Sequence, residues 1–169
     1  MLEDLDRLME IEGVDGLLAF GNAFEVPDVF WLTGFRSPDD ITVLHNRGEE
    51  SIVASVFHTI ERVVKESFIK KTYDFTDFYR SLMKEGKRAW NHHDLLFKEI
   101  LENTFSGKVL GVPDHLPARI VVAIQQLGDE IKVVPDLLMD ARATKSPREI
   151  AFIEKAGKAT IGAITQVID

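Results

Sequence analysis

Cysteine is absent from this chain, so neither a disulfide framework nor a thiolate site is open to it, and the composition suits a reducing compartment. Long apolar runs are missing too: none approaches the roughly 20 residues that a membrane-crossing helix needs, and no cationic, apolar leader opens the sequence. Basic charge is scarce. With 20 basic against 28 acidic residues the formal charge is -8, which repels phosphate backbones and argues against a nucleic-acid partner. Low-complexity stretches, internal repeats and any Pro/Gly/Ser linker ahead of Pro135 are also lacking. These absences lead to an expectation of a soluble, cytoplasmic protein with one main folded unit.

At 169 residues and 45% hydrophobic, the chain is long enough to bury one sizeable core. Leu2, Leu5 and Leu8/Met9 at helical spacing predict an opening amphipathic helix over residues 1–11, closed by Gly13. A strand follows over residues 14–20, then a short helical or turn segment over 26–31. Strands at 41–44 and 51–56 are joined across Asn46-Arg47-Gly48, a sequence suited to a hairpin turn. Further on, helices are predicted at 58–65, 75–84 and 92–105, the last capped by Asn91, with strands at 69–73, 108–112 and 131–134. One more helix has Pro117 near its first turn and Gly128 at its end. Alternating strands and helices with one early hairpin indicate a layered α/β domain whose mixed sheet is flanked by helices.

The last quarter reads as a hinge beginning at Pro135, followed by a strongly started helix. Ser146 and Glu149 form a Ser-x-x-Glu capping box with Pro147 at the first helical position. The apolar face is Ile150, Ile153, Gly157, Ile161, Ile164 and Ile168, and no terminal Gly, Asn or basic turn closes it. A helix with a start and no stop predicts a longer parent protein, with residues 1–143 as one domain and 144–169 as a hinge and first helix leading towards a further, catalytic domain.

The stretch Arg142-Ala-Thr-Lys145-Ser146-Pro-Arg-Glu149-Ile150 resembles the junction between the N-terminal and catalytic domains of the creatinase and Xaa-Pro peptidase family, which includes prolidase and aminopeptidase P. Phe30-Trp31-Leu32-Thr33-Gly34-Phe35 is similar to the aromatic-Leu-Thr-Gly-Phe signature of the same N-terminal domain, and the distance between the two motifs fits. The resemblance implies a ribonuclease H-like, creatinase/prolidase-type N-terminal domain. It also implies that the parent's catalytic residues, and a pair of divalent metals (manganese, cobalt or zinc), belong to a separate C-terminal domain. No stretch here matches that metal motif, so no catalytic residue and no cofactor is assigned to this chain.

Read on their own, the histidines offer little. His92-His93-Asp94 is the one cluster, but neighbouring side chains on a helix diverge by about 100 degrees, so both imidazoles cannot readily face one ion. A solvated helix start is the expected reading, with no metal site. His45, His58 and His115 stand alone. No nucleophile elbow and no Gly-rich phosphate loop is present.

The segment Arg36-Ser37-Pro38-Asp39-Asp40 is the better candidate. In dimeric relatives, the resemblance implies, the corresponding loop approaches the neighbouring subunit's active site, and in some dipeptidases it reads Asp-Pro-His-Glu-Arg. Proline and acidic character are kept here, whereas the His and the following Arg are not. Phe35, Arg36, Asp39 and Asp40 are therefore the candidate substrate-access residues, and the competing reading is a solvated turn with its φ preset by Pro38. Phe30, Trp31 and Phe35 read either as core or as interface anchors.

The expected function is that of a noncatalytic N-terminal domain in an Xaa-Pro dipeptidase or aminopeptidase P-like metallopeptidase, supporting a homodimer and restricting access to short proline-containing peptides. The alternatives are a standalone peptide- or protein-binding module and the N-terminal domain of a creatinase-like amidinohydrolase.

Overall fold

Two layers of helices enclose one twisted sheet in the computed structural model, which describes residues 2–128 and 130–168. Met1 and Asp169, and the side chains of Leu2 and Ile168 assigned above to apolar stripes, lie outside the described residues.

Helix α1 (Leu2–Glu12) ends at Gly13, whose φ of 65° turns the chain into β1 (Gly16–Gly21). Helix α2 (Pro27–Thr33) precedes the hairpin of β2 (Ile41–Asn46) and β3 (Ile52–Ser55). Then come α3 (Phe57–Glu66), β4 (Lys71–Asp74), α4 (Thr76–Lys84), α5 (His93–Thr104), β5 (Val109–Val112), α6 (Ala118–Gln125) and β6 (Glu130–Val133). Two further helices close the sequence, α7 (Leu137–Ala143) and α8 (Pro147–Ile168).

The sheet has six strands in the order β4-β3-β2-β1-β5-β6. β2 pairs antiparallel with both β1 and β3, whereas β3–β4, β1–β5 and β5–β6 are parallel. The mixed α/β architecture expected from the element order is therefore present. The hairpin turns where predicted, with Glu49 donating to the Asn46 carbonyl at 2.9 Å.

Alternation along the strands sorts the core into two layers. Leu17, Ala19, Val43 and Val53 pack against Leu5 and Met9 of α1, Val29 and Leu32 of α2, Val63 of α3 and Leu137, Leu138 and Ala141 of α7. Leu18, Leu44, Leu110 and Val112 meet Phe97 and Leu101 of α5 and Ile120 and Ile124 of α6. Each of these side chains larger than alanine, fully buried, contributes roughly 1.5–3 kcal/mol. His45, isolated in sequence, is 1% exposed and satisfied on both ring nitrogens: Nδ1 lies 2.9 Å from Ser51 Oγ and Nε2 3.0 Å from Asp6 Oδ1. It ties α1 to the hairpin.

Several sequence expectations are corrected. The segment after Pro135 is not wholly a hinge, because α7 packs three residues into the core; a seven-residue helix is too short to display a period of its own. Asn91 does not cap α5. It ends a 3-10 turn over Ala89–Asn91, and His92 takes the cap position without a side-chain hydrogen bond. Nor is His93 a solvated residue. It is half-buried, its Nε2 is shut from solvent without a partner among the described residues, and burial, aided by Arg119, lowers its pKa.

Candidate functional site

Helix α2 starts on Pro27, whose fixed φ suits the first helical position, and ends on Gly34, whose φ of 63° is the left-handed conformation that glycine adopts without penalty. Thr33 is buried, its hydroxyl donating to the Val29 carbonyl at 2.6 Å and accepting from the Phe35 amide at 3.1 Å. The reversal drives Phe35 inward. Its ring is 1% exposed, and the Arg62 guanidinium lies 5.0 Å from the ring centroid. Phe35 therefore anchors the loop from within the core and is hidden from any substrate.

Beyond it the backbone turns outward. Arg36 is exposed and lies 4.9 Å over the ring of Phe30. Ser37 is buried and organises the turn, its hydroxyl donating to the Asp39 carbonyl at 2.8 Å and accepting from the Asp39 amide at 3.2 Å. The Asp39 carboxylate accepts from Thr59 Oγ1 at 2.9 Å and stands 3.8 Å from His58 Nε2. Asp40 is exposed and its charge reaches His93. Of the four residues singled out in the sequence, Arg36, Asp39 and Asp40 are exposed, Arg36 beside Phe30 of α2, Asp39 engaged by α3 and Asp40 towards α5.

Next to this loop lies an apolar groove of about 660 Å³, lined by Phe30, Trp31, Gly34, Phe68, Arg148 and Phe152 among others. It brings the two sequence motifs together. A Cβ on Gly34 would stand 2.3 Å from Phe68 Cζ, so the bare glycine is what lets the Phe68 ring sit against α2. Phe68 is held from behind, its amide donating to the Thr33 carbonyl at 2.8 Å. Across the groove the capping box is formed: Glu149 Oε2 accepts from the Ser146 hydroxyl at 2.7 Å and from its amide at 2.8 Å, and Ser146 Oγ accepts from the Glu149 amide at 3.3 Å. Those bonds hold the Glu149 carboxyl below its usual pKa.

Sequence reasoning missed Phe68, and held Arg148 only as one letter of the junction motif. A lone aromatic after a helix and one basic residue inside a capping box carry no local signal of their meeting. It also missed a charged cluster at the base of α2, where nearly buried Asp28 accepts from Arg142 Nη1 at 2.5 Å and lies 3.6 Å from His115 Nε2.

Among the described residues no group of three or more His, Asp or Glu side chains is placed to hold a metal ion. Ser51, His45 and Asp6 form a connected trio, but Ser51 is 2% exposed and its hydroxyl is taken up by the buried His45 ring, so the trio is a structural tie. No helix among the described residues is long and apolar enough to cross a membrane. The surface thus carries an aromatic groove, an exposed arginine and a helix whose side chains from Ala151 to Val167 are exposed.

No protein-family profile matches the chain, and no curated protein matches it. Solved structures do. An Xaa-Pro dipeptidase from Bacillus anthracis superposes with a TM-score of 0.73 at 17% identity, covering 99% of this chain and 42% of that one. The prolidase from Pyrococcus horikoshii OT3 gives 0.63 at 25% identity, over 97% of this chain and 42% of its own. The N-terminal domain of the cytoplasmic peptidase PepQ from Mycobacterium tuberculosis H37Rv gives 0.59 at 14% identity, over 82% of this chain and 95% of that domain. The chain thus spans about two fifths of the full-length peptidases and nearly the whole of the separate domain. Its architecture is that of the creatinase/prolidase-type N-terminal domain of the Xaa-Pro peptidases.

Proposed function

We propose that this chain is the noncatalytic N-terminal domain of an Xaa-Pro dipeptidase or aminopeptidase P-like metallopeptidase of the cytoplasm, working in a homodimer on short proline-containing peptides. The observation that carries this reading is α8. Ile150, Ile153, Ile161 and Ile164 are 46 to 67% exposed on a helix that begins with a completed capping box and then packs along nothing in the body among the described residues. Four such side chains represent several kcal/mol of unrealised burial, at roughly 1.5–3 kcal/mol each when fully covered. A catalytic domain continuing from α8 would cover them.

On this reading a pair of divalent metals, which would supply the hydrolytic chemistry, would be held by residues of the other domain. This chain contributes the rim. The exposed guanidinium of Arg36, steadied on Phe30, suits a bidentate contact with a peptide carboxylate, and exposed Asp40 suits a free amino terminus.

The test is turnover of Xaa-Pro dipeptides with manganese or cobalt by a protein carrying this domain and its downstream partner, beside this chain alone. Chelator-sensitive hydrolysis by the longer protein only is expected. Arg36→Ala in it should raise KM for dipeptides more than for substrates with a blocked carboxyl end. A longer protein without such hydrolysis, binding peptides or proteins instead, would favour a standalone binding role.

A further inference from the structure

Among the described residues every side chain from Ala151 to Val167 is exposed, so the body's hold on α8 is confined to its first turns. The capping box lies within residues 146–149 and starts the helix without orienting it, because all its bonds are local. A rod joined at one point can still swing about that point. A second, off-axis contact has to fix its direction.

Arg148 makes such a contact. Its guanidinium lies 5.5 Å from the ring centroid of Phe68, on the body, and 5.7 Å from that of Phe152, one turn further along α8. No carboxylate among the described residues competes for it at ion-pair distance. Phe68 is itself a fixed platform, seated over Gly34 and tied by its amide to Thr33. The buried indole N–H of Trp31 points to Glu149 and helps hold its carboxyl below the usual range, a second contact between α2 and the first turn of α8. A cation between two ring faces resists lateral movement of either ring, and a guanidinium is the better cation for it because its plane can stack.

We infer that Arg148 is a positioning residue: bridging Phe68 of the body and Phe152 of α8, it fixes the direction in which α8 leaves the domain. On the function proposed above, it thereby fixes where the catalytic domain stands relative to the Arg36–Asp40 rim. The aromatic-Leu-Thr-Gly-Phe motif and the capping-box motif are then two halves of one device, with Gly34 making room for the ring that Arg148 grips.

The absence of cysteine makes the test clean. Glu102→Cys on α5 and Lys158→Cys on α8, both exposed positions, take spin labels for double electron–electron resonance on this chain. The parent background should give one narrow distance distribution. Arg148→Ala, at an exposed position where alanine is a good helix former, should widen it to roughly twice its width with the melting temperature unchanged. Arg148→Lys should restore part of the narrowing, and Phe68→Leu should widen the distribution as Arg148→Ala does. A distribution for Arg148→Ala that superposes on the parent's, or a parent distribution already as broad, would overturn the inference. The labels report only on this chain, so failure here leaves the peptidase reading standing, and a parent without peptidase activity leaves the positioning role standing.

Discussion

Arg142 donates from Nη1 to Asp28 at 2.5 Å across 114 residues of sequence, joining the last core helix, α7, to the first turn of α2. Asp28 is 7% exposed, so the pair sits where removing one member leaves a charge poorly solvated. Arg142→Ala should therefore cost about 1–3 kcal/mol in urea denaturation, less than a wholly buried pair because Arg142 keeps some access to water. Asp28→Asn added to it should recover part of that loss. A change in the single variant below about 0.5 kcal/mol would reduce the pair to an ordinary surface contact.

Gly34 and Gly48 separate conformational cost from steric cost. Both have positive φ, 63° and 80°, but a Cβ at Gly48 would meet nothing within 4 Å whereas one at Gly34 would collide with Phe68. Gly48→Ala should lose about 1 kcal/mol, the expense of the left-handed conformation alone. Gly34→Ala should lose clearly more, about 2–4 kcal/mol, by thermal or chemical denaturation. Equal losses would show that Phe68 moves aside freely.

Tyr73 on β4 donates to Glu99 Oε1 on α5 at 2.5 Å, and its pKa is raised to about 12 by burial first and then by this bond. A phenol whose folded pKa lies above its unfolded value of 10 contributes stability that is fully present below pH 10. That contribution is lost as pH climbs towards 12. Stability measured across this window should fall, and Tyr73→Phe should remove that part of the slope. An alkaline absorbance titration in which Tyr73→Phe leaves the highest-pH component intact would count against it.

For Glu149 the sign is the opposite. The Ser146 hydroxyl, then the Ser146 amide, lower its pKa from 4.5, so the capping box contributes fully above that value and is lost as pH falls through the lower folded pKa. Amide chemical shifts of residues 146–150 should report fraying of the start of α8 below pH 4.5, with the melting of the body largely unaffected. Glu149→Gln should abolish the acid transition at these amides. Ser146→Ala should fray the same turn at neutral pH, at a cost of about 1 kcal/mol.

Much of the fold was legible because it rests on local rules. Gly13, Gly34 and Gly48 punctuate where the chain must take positive φ, and Ser146-Pro147 with Glu149 announces a helix start from four residues. The hairpin and the alternating elements followed from period and turn chemistry, with boundaries displaced by only a residue or two. Helix α7 was not legible, because seven residues after Pro135-Asp136 look like more of the same turn until Leu137, Leu138 and Ala141 find α1.

The candidate site divides in the same way. Sequence singled out residues 35–40, and the loop does carry exposed charge, but only the fold turned Phe35 inward and Arg36 outward. Those directions depend on Thr33 bonding back to Val29 and on Arg62 arriving from α3.

By itself, the sequence determined the order and kind of most elements up to Pro135, the absence of thiol chemistry, the sign of the net charge and the place where the last helix begins. Each of these is a property of single residues or of neighbours within a turn. The tertiary structure alone decided that β2 would also run against β1, that Asp28 would meet Arg142, and that Phe68 would lie between Gly34 and Arg148. Such contacts join residues far apart along the chain, and no local preference selects the partner; it is chosen by which surfaces the packed layers leave facing each other.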